Sequence, residues 1–270
     1  MSSSTSTAAS LALKLQGSKL AGKGFTSEVY DWGDGRVLKL FHNWVPTFRA
    51  EREHRVTKAV HAAGLPAPAV YDLVEMGDRR GIVFERIHGA SMLSGVQARP
   101  WTLFKAVRQL AELHAQMHRC DAPLELPSQR DWIANGIEAA EDLSREAKEK
   151  ALRQLQGLPE GNSVCHGDFH PENVLLTARG PVVIDWDSAT RGHPLGDVAC
   201  TSRLIQHASL PQWTPVYMHL LLKCSRALLH YFYLKRSLQL HAGTRQAVEA
   251  WQGPLAAAAR SWRIPTIDPR

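Results

Sequence analysis

The chain has 270 residues, of which 44% are apolar and 21% charged, ordinary usage for a globular protein. That excludes a mostly disordered chain, a collagen-like fibre and a coiled-coil rod, and it allows one large or two small domains with a cleft between halves. The formal net charge is +6, and the excess falls in residues 198–270, scattered with no run longer than Lys235-Arg236. Such scatter reads as a solvated basic surface and points to neither a nucleic-acid nor a membrane partner.

The opening MSSSTSTAAS is polar and predicts a disordered tail over residues 1–18, not a signal peptide. Cys120, Cys165, Cys200 and Cys224 lie far apart with no CxxC pair. This fits a reducing cytoplasm and argues against a disulfide framework. Residues 20–25 and 28–32 read as strands around a glycine turn, and residues 36–41 as a third strand behind the hairpin signal Asp34-Gly35. Val56, Val60 and Ala63 give helical spacing over residues 48–63, stopped by Gly64 and Pro66. Residues 70–75 and 81–85 read as two more strands around Gly77-Asp78. Further on, residues 104–118 form an amphipathic helix with Phe104, Val107, Leu110, Ala111, Leu113, Ala115 and Met117 on its apolar face. A more polar helical stretch is expected over residues 133–155 and a hairpin over residues 174–184. Residues 216–240 are apolar but contain Lys223, Arg226, Lys235 and Arg236, which predicts a packed helix and no membrane span. The expected organisation is α+β: a small β-rich lobe over residues 19–87 and a larger helical lobe over residues 88–270.

The strongest chemical signal is His166-Gly167-Asp168-Phe169-His170-Pro171-Glu172-Asn173, followed twelve residues after Asn173 by Asp185-Trp186-Asp187. It places two carboxylates and a carboxamide on loops flanked by short apolar runs. Asp and Asn oxygens are hard ligands of the kind Mg²⁺ prefers, and a neighbouring carboxylate can take a proton from a hydroxyl. Those are the parts phosphoryl transfer needs. Upstream, Gly22-Lys23-Gly24 leads to Ser27 between two strands, and two glycines let a backbone approach phosphate closely. Lys39 alternates with Val37 and Phe41, so it points inward and requires a partner.

In these residues the chain resembles the aminoglycoside phosphotransferase and choline kinase superfamily, small-molecule kinases of bilobal, protein-kinase-like fold. Its catalytic loop reads HGDxxxxN, as residues 166–173 do here. The resemblance implies Asp168 as catalytic base and Asn173 and Asp185 as ligands of Mg²⁺, with Asp187 completing the motif in a role left open. It implies that His166 and Asp197 brace the loop. It implies that Gly22, Gly24 and Ser27 line the phosphates, and that Lys39 holds them while paired with Glu53, with Glu51 as the rival partner. Residues 83–89 would form the hinge, where backbone groups of Glu85 and Ile87 hold the base of ATP or GTP and Phe84 lines the back of the pocket. The N-terminal lobe would then be the nucleotide-binding one.

The implied activity is Mg²⁺-dependent transfer of a γ-phosphate to a small-molecule hydroxyl, in a monomer or dimer. An antibiotic acceptor of aminoglycoside type is slightly favoured, which would make the enzyme one of antibiotic resistance. The alternatives are a metabolite acceptor (thiamine, choline or a sugar) or an inactive binding protein on the same fold. Glu138, Glu141 and Asp142 have the spacing of one helical face that would suit a cationic acceptor. Against the aminoglycoside reading, the chain carries near its C-terminus the basic and aromatic run Arg260-Ser261-Trp262-Arg263-Ile264-Pro265. Trp186, Trp213, Trp251 and Trp262 serve either as core or as a cation–π pocket.

Overall fold

The computed structural model describes residues 14–207 and 216–262. Residues 1–13, Trp213 and the end Arg263-Ile264-Pro265 lie outside the described residues. Of the expected tail, residues 14–17 form a helical turn, and the Lys14 ammonium sits 4.5 Å over the Trp32 ring.

In chain order the first elements are β1 (Leu20–Lys23), β2 (Ser27–Gly33), β3 (Arg36–Phe41), α1 (Thr47–Ala62), β4 (Val70–Met76), β5 (Arg79–Glu85) and β6 (Ala90–Ser91). Then come α2 (Met92–Ala98), α3 (Leu103–Met117), α4 (Gln129–Ala139), α5 (Arg145–Gln156), β7 (Ser163–Cys165), β8 (Val174–Thr177) and β9 (Gly180–Val183). The chain continues through β10 (Thr190–Gly192), α6 (Pro194–His207), α7 (Val216–Leu240) and α8 (Arg245–Trp262). These elements cluster into two compact units. The first holds the chain up to Ala90 together with Val174–Ser188, and the second holds Ser91–Asn173 and the chain from Ala189 on.

The first unit is built on an antiparallel sheet of order β1-β2-β3-β5-β4. Between β2 and β3, Asp34 and Gly35 both take positive φ, 48° and 68°, the turn whose twist matches antiparallel strands. Alternation sorts the central strand β3. Leu38 and Leu40 are fully buried and pack with Trp32 and Val83 on one face. Phe41 joins Val45, Ala50, Ile82 and Phe84 on the other, with Val37 packed against them. Lys39 shares this second face, which brings its side chain toward α1. The β8–β9 hairpin pairs Val174 with Val183, and the Val183 amide donates to the Pro66 carbonyl at 2.6 Å. That bond helps explain why residues 174–188 belong with the first unit and not with the helical block of residues 88–270 in which a linear reading places them.

The second unit is helical. Its short β7–β10 ladder pairs Cys165 with Thr190. The polar stretch over residues 133–155 is two helices, α4 and α5, because Ser144 starts a new one: its side chain accepts from the Ala147 amide, as an N-cap does. Glu138 therefore ends up on α4, whereas Glu141 and Asp142 sit in the break, and Asp142 pairs with Arg260 at 2.7 Å. The three do not form one helical face. Phe104, expected on the buried face of α3, is exposed and meets Phe232 edge to face at 5.0 Å. Trp251 is buried against His193 and Trp262 stacks on Trp132; Trp186, in the first unit, is fully buried. Trp186 and Trp251 thus serve as core.

Candidate active site

Candidate residues occur in both units. In the first, Lys39 of β3 reaches Glu53 of α1 with its ammonium 2.7 Å from each carboxylate oxygen. The same ammonium lies 2.8 Å from Asp185 Oδ1. Glu51, the rival partner, is exposed. Burial by itself would lower the Lys39 ammonium, but Asp185 and Glu53 together outweigh it and hold Lys39 above the ordinary lysine range. Burial pushes Glu53 up to about 7, with Lys39 pulling against it. Asp185 has a φ of 65°, a left-handed conformation that a non-glycine residue keeps only when its surroundings enforce it.

Gly22 and Gly24 flank the start of the β1–β2 turn, which is closed by the Gly24 amide donating to the Ser27 carbonyl at 2.8 Å. A methyl group on either glycine would come no closer than 3.5 Å to any other atom. The fold itself leaves room for a side chain at both positions. Ser27 is buried. At the end of β5 the Glu85 amide donates to the Ala69 carbonyl at 2.9 Å, and its carboxylate pairs with Arg179 at 2.6 Å. Phe84 is buried and Ile87 half-buried.

In the second unit the loop over residues 166–173 is pinned from within. Asp197 of α6 accepts from the His166 amide at 2.6 Å and the Gly167 amide at 2.8 Å. Gly167 takes a φ of 77°, open to glycine at little cost, and its carbonyl accepts from the Cys200 thiol at 2.9 Å. The His166 ring accepts from the Asp168 amide at 3.2 Å. Asn173 donates its amide to the Asp168 carbonyl at 2.9 Å and to Asp168 Oδ2 at 3.3 Å. With that nitrogen committed to Asp168, the carboxamide oxygen is the atom Asn173 has left to offer a cation. His170 stands 3.7 Å from Asp168 Oδ2.

A match to the phosphotransferase enzyme family covers residues 19–231. The chain belongs to that family. A relative from Mus musculus, acyl-CoA dehydrogenase family member 10, is 30% identical over 171 residues, 55% of this chain. The aligned stretch is only 16% of that relative's length. Among solved structures, an aminoglycoside-3′-phosphotransferase of type VIII superposes with a TM-score of 0.60 at 21% identity, over 93% of this chain and 97% of that one. A thermostable mutant of an aminoglycoside phosphotransferase, in ternary complex with AMP-PNP and hygromycin B, gives a TM-score of 0.52 at 21% identity, over 95% and 98%. The fold is thus that of bilobal kinase-like phosphotransferases. No helix among the described residues is long and apolar enough to cross a membrane.

The bracing role expected of Asp197 matches its bonds to the His166 and Gly167 amides, but the histidines that hold Asp197 in turn were not foreseen. Asp197 Oδ2 also accepts from His114 at 2.9 Å and His118 at 3.1 Å. The second ring nitrogens contact the Tyr233 hydroxyl at 2.7 Å and His241 at 2.8 Å. His114 lies in the last turn of α3 and His118 follows four residues later as its C-terminal cap, and both are buried. Two histidines at that spacing on an apolar face were the signal. Burial works to raise the Asp197 carboxyl, but His114 and His118 outweigh it and hold the group well below the usual carboxylate range. Burial lowers His118 to about 4 and lowers His114 as well.

Below pH about 6.5 the unfolded chain protonates a histidine that folded His118 refuses until pH about 4. Each such proton costs stability at about 1.4 kcal/mol per pH unit. The depressed Asp197 carboxyl acts in the same direction further into acid, once the pH drops below the unfolded aspartate value. The thermal midpoint is expected to drop steadily as pH falls from about 6.5 toward 4. A midpoint flat across that window in calorimetry would show that this cluster does not refuse protons.

Proposed function

We propose that the chain transfers the γ-phosphoryl group of a nucleoside triphosphate to a hydroxyl of a small molecule. The observation that carries this reading is the Lys39 ammonium held between Glu53 and Asp185, in a chain of the phosphotransferase family. A cation fixed in that way can offset phosphate charge without reorganising when the reaction occurs. Gly22, Gly24 and Ser27 cradle the phosphates, and backbone groups of Glu85 and Ile87 hold the base beside Phe84. ATP is favoured over GTP by the AMP-PNP complex of a structural neighbour.

The Asp185 carboxylate, whose side chain is 43% exposed, and the Asn173 carboxamide oxygen are each hard donors of the kind Mg²⁺ takes. Held by such donors, Mg²⁺ would neutralise charge on the phosphates. Asp168 takes the proton of the acceptor hydroxyl as its oxygen bonds to phosphorus and the bond to the nucleoside diphosphate breaks. Asn173 fixes the Asp168 carboxylate, and Asp197 fixes the loop.

An antibiotic acceptor is supported by the aminoglycoside phosphotransferases among the structural neighbours. A metabolite acceptor is the second reading, favoured by the mouse relative, whose name is that of an acyl-CoA dehydrogenase family member. A coupled ADP- and GDP-release assay with Mg²⁺ tests both. Its panel holds aminoglycosides, macrolides, thiamine, choline, sugars and a hydroxylated acyl-CoA, with Asp168→Ala as blank. Turnover above the blank is expected with one acceptor class. Failure to bind either nucleotide would sink the kinase reading.

A further inference from the structure

We propose that Asp187 is an anchor and not a metal ligand, and that Arg49 and Arg52 are positioning residues that hold Asp185 through it. This rests on the reading of Asp185 as the Mg²⁺ ligand.

Arg49, Arg52 and Glu53 are spaced i, i+3 and i+4, so they share one helix face. Arg49 Nε donates to Asp187 Oδ2 at 2.9 Å, and a second guanidinium nitrogen contacts the same oxygen. Arg52 Nε donates to the Asp187 main-chain carbonyl at 2.6 Å. Two residues earlier, Asp185 is tied to that same face through Lys39 and Glu53. Between the two aspartates, Trp186 is fully buried and its indole donates to the Val183 carbonyl at 2.8 Å. Three consecutive residues are therefore held in place, two of them by one turn of α1.

Such a clamp has something to hold. The φ of 65° at Asp185 is a strained conformation for a non-glycine residue. The segment adopts a 3₁₀ turn over Trp186–Ser188 directly after it. Releasing Asp187 would let this strain relax and swing the Asp185 carboxylate away.

Exposure decides between the two carboxylates. Mg²⁺ keeps several of its waters, so its protein ligand must face solvent. The Asp185 side chain is 43% exposed and that of Asp187 only 9%. Asp187 Oδ1 is buried, out of reach of the solvent from which a hydrated ion draws its waters. Its charge is answered by Arg49 instead.

The test compares AMP-PNP affinity with and without Mn²⁺ in the full chain, by calorimetry, for Arg49→Ala, Asp187→Asn, their double variant, Arg49→Lys and Asp185→Asn. Residues that orient a ligand typically cost about 10–100-fold in metal affinity when removed. Arg49→Ala and Asp187→Asn are each expected to cut the gain that Mn²⁺ gives by about tenfold, with the double variant no worse than either. Arg49→Lys, which keeps the charge but loses the planar fork, should recover part of it. The inference is overturned if Arg49→Ala leaves the Mn²⁺ gain unchanged or enlarged while Asp187→Asn removes it, because Asp187 would then be a ligand. A fall in AMP-PNP affinity without metal would make Arg49 a phosphate contact and overturn it equally. Asp185→Asn separates the two levels. If it leaves the Mn²⁺ gain intact, the ligand assignment itself fails and this inference with it. If it abolishes the gain while Arg49→Ala does not change it, only the anchor is wrong.

Discussion

Replacing Asp168 with alanine is expected to lower kcat by about 10²–10⁴-fold, the usual contribution of a positioned general base. Nucleotide affinity should stay near that of the parent chain. The reason lies in how the loop is held. Its backbone is fixed at His166 and Gly167 by Asp197 and at the Gly167 carbonyl by Cys200. None of these bonds involves the Asp168 carboxylate, so its removal leaves the loop in place. What disappears is one hydrogen bond to Asn173 Nδ2 and the acceptor for the substrate proton. Single-turnover kinetics under saturating nucleotide would show the loss in the chemical step. Full kcat in this variant would remove Asp168 as the base and shift attention to His170, its neighbour at 3.7 Å.

The second large effect is on stability. Asp197→Asn is expected to destabilise the chain by about 1–3 kcal/mol, the cost of leaving a buried donor without an acceptor. For a chain of this size, that corresponds to a fall in thermal midpoint of about 2–12 °C. The carboxylate is a pure acceptor serving two main-chain amides and two imidazoles. Asparagine turns one of its two oxygens into a donor facing other donors, and a buried donor without an acceptor pays its full desolvation. The loss should appear in kcat too, since the amides released belong to the turn that presents Asp168. A midpoint within about 2 °C of the parent in differential scanning calorimetry would show that the network is not what secures the loop.

The strands of the first unit were legible because each has a period-two pattern and a turn signal beside it. Asp34-Gly35 and Gly77-Asp78 both sit between paired strands. The inward direction of Lys39 followed from the same alternation, whereas Glu53 as its partner, with Glu51 as rival, came from the family resemblance. The HGD loop and the aspartate after it could be read because they are contiguous in sequence. What could not be read depends on contacts between distant segments. Arg49 and Arg52 look like the solvated face of a helix until Asp187, 138 and 135 residues away, is seen against them. His114 and His118 look like polar interruptions of an amphipathic helix until Asp197 and His241 arrive from α6 and the end of α7. The Ser144 cap that divides α4 from α5 was visible in principle, but the charged run around it suggested one continuous helix. The grouping of Val174–Ser188 with the first unit rests partly on a main-chain bond to Pro66, which leaves no mark in composition or periodicity.

The central claim is that this chain moves a γ-phosphoryl group onto a small-molecule hydroxyl, and ³¹P NMR of the complete reaction tests it most directly. The chain would be incubated with ATP, Mg²⁺ and each acceptor class in turn, beside Asp168→Ala. The account predicts that the γ-phosphate resonance of ATP decays as a phosphomonoester resonance grows with one acceptor, and that neither change occurs in the variant. If ATP binds but no phosphomonoester forms with any acceptor, or if one forms equally fast with Asp168→Ala, the account is contradicted.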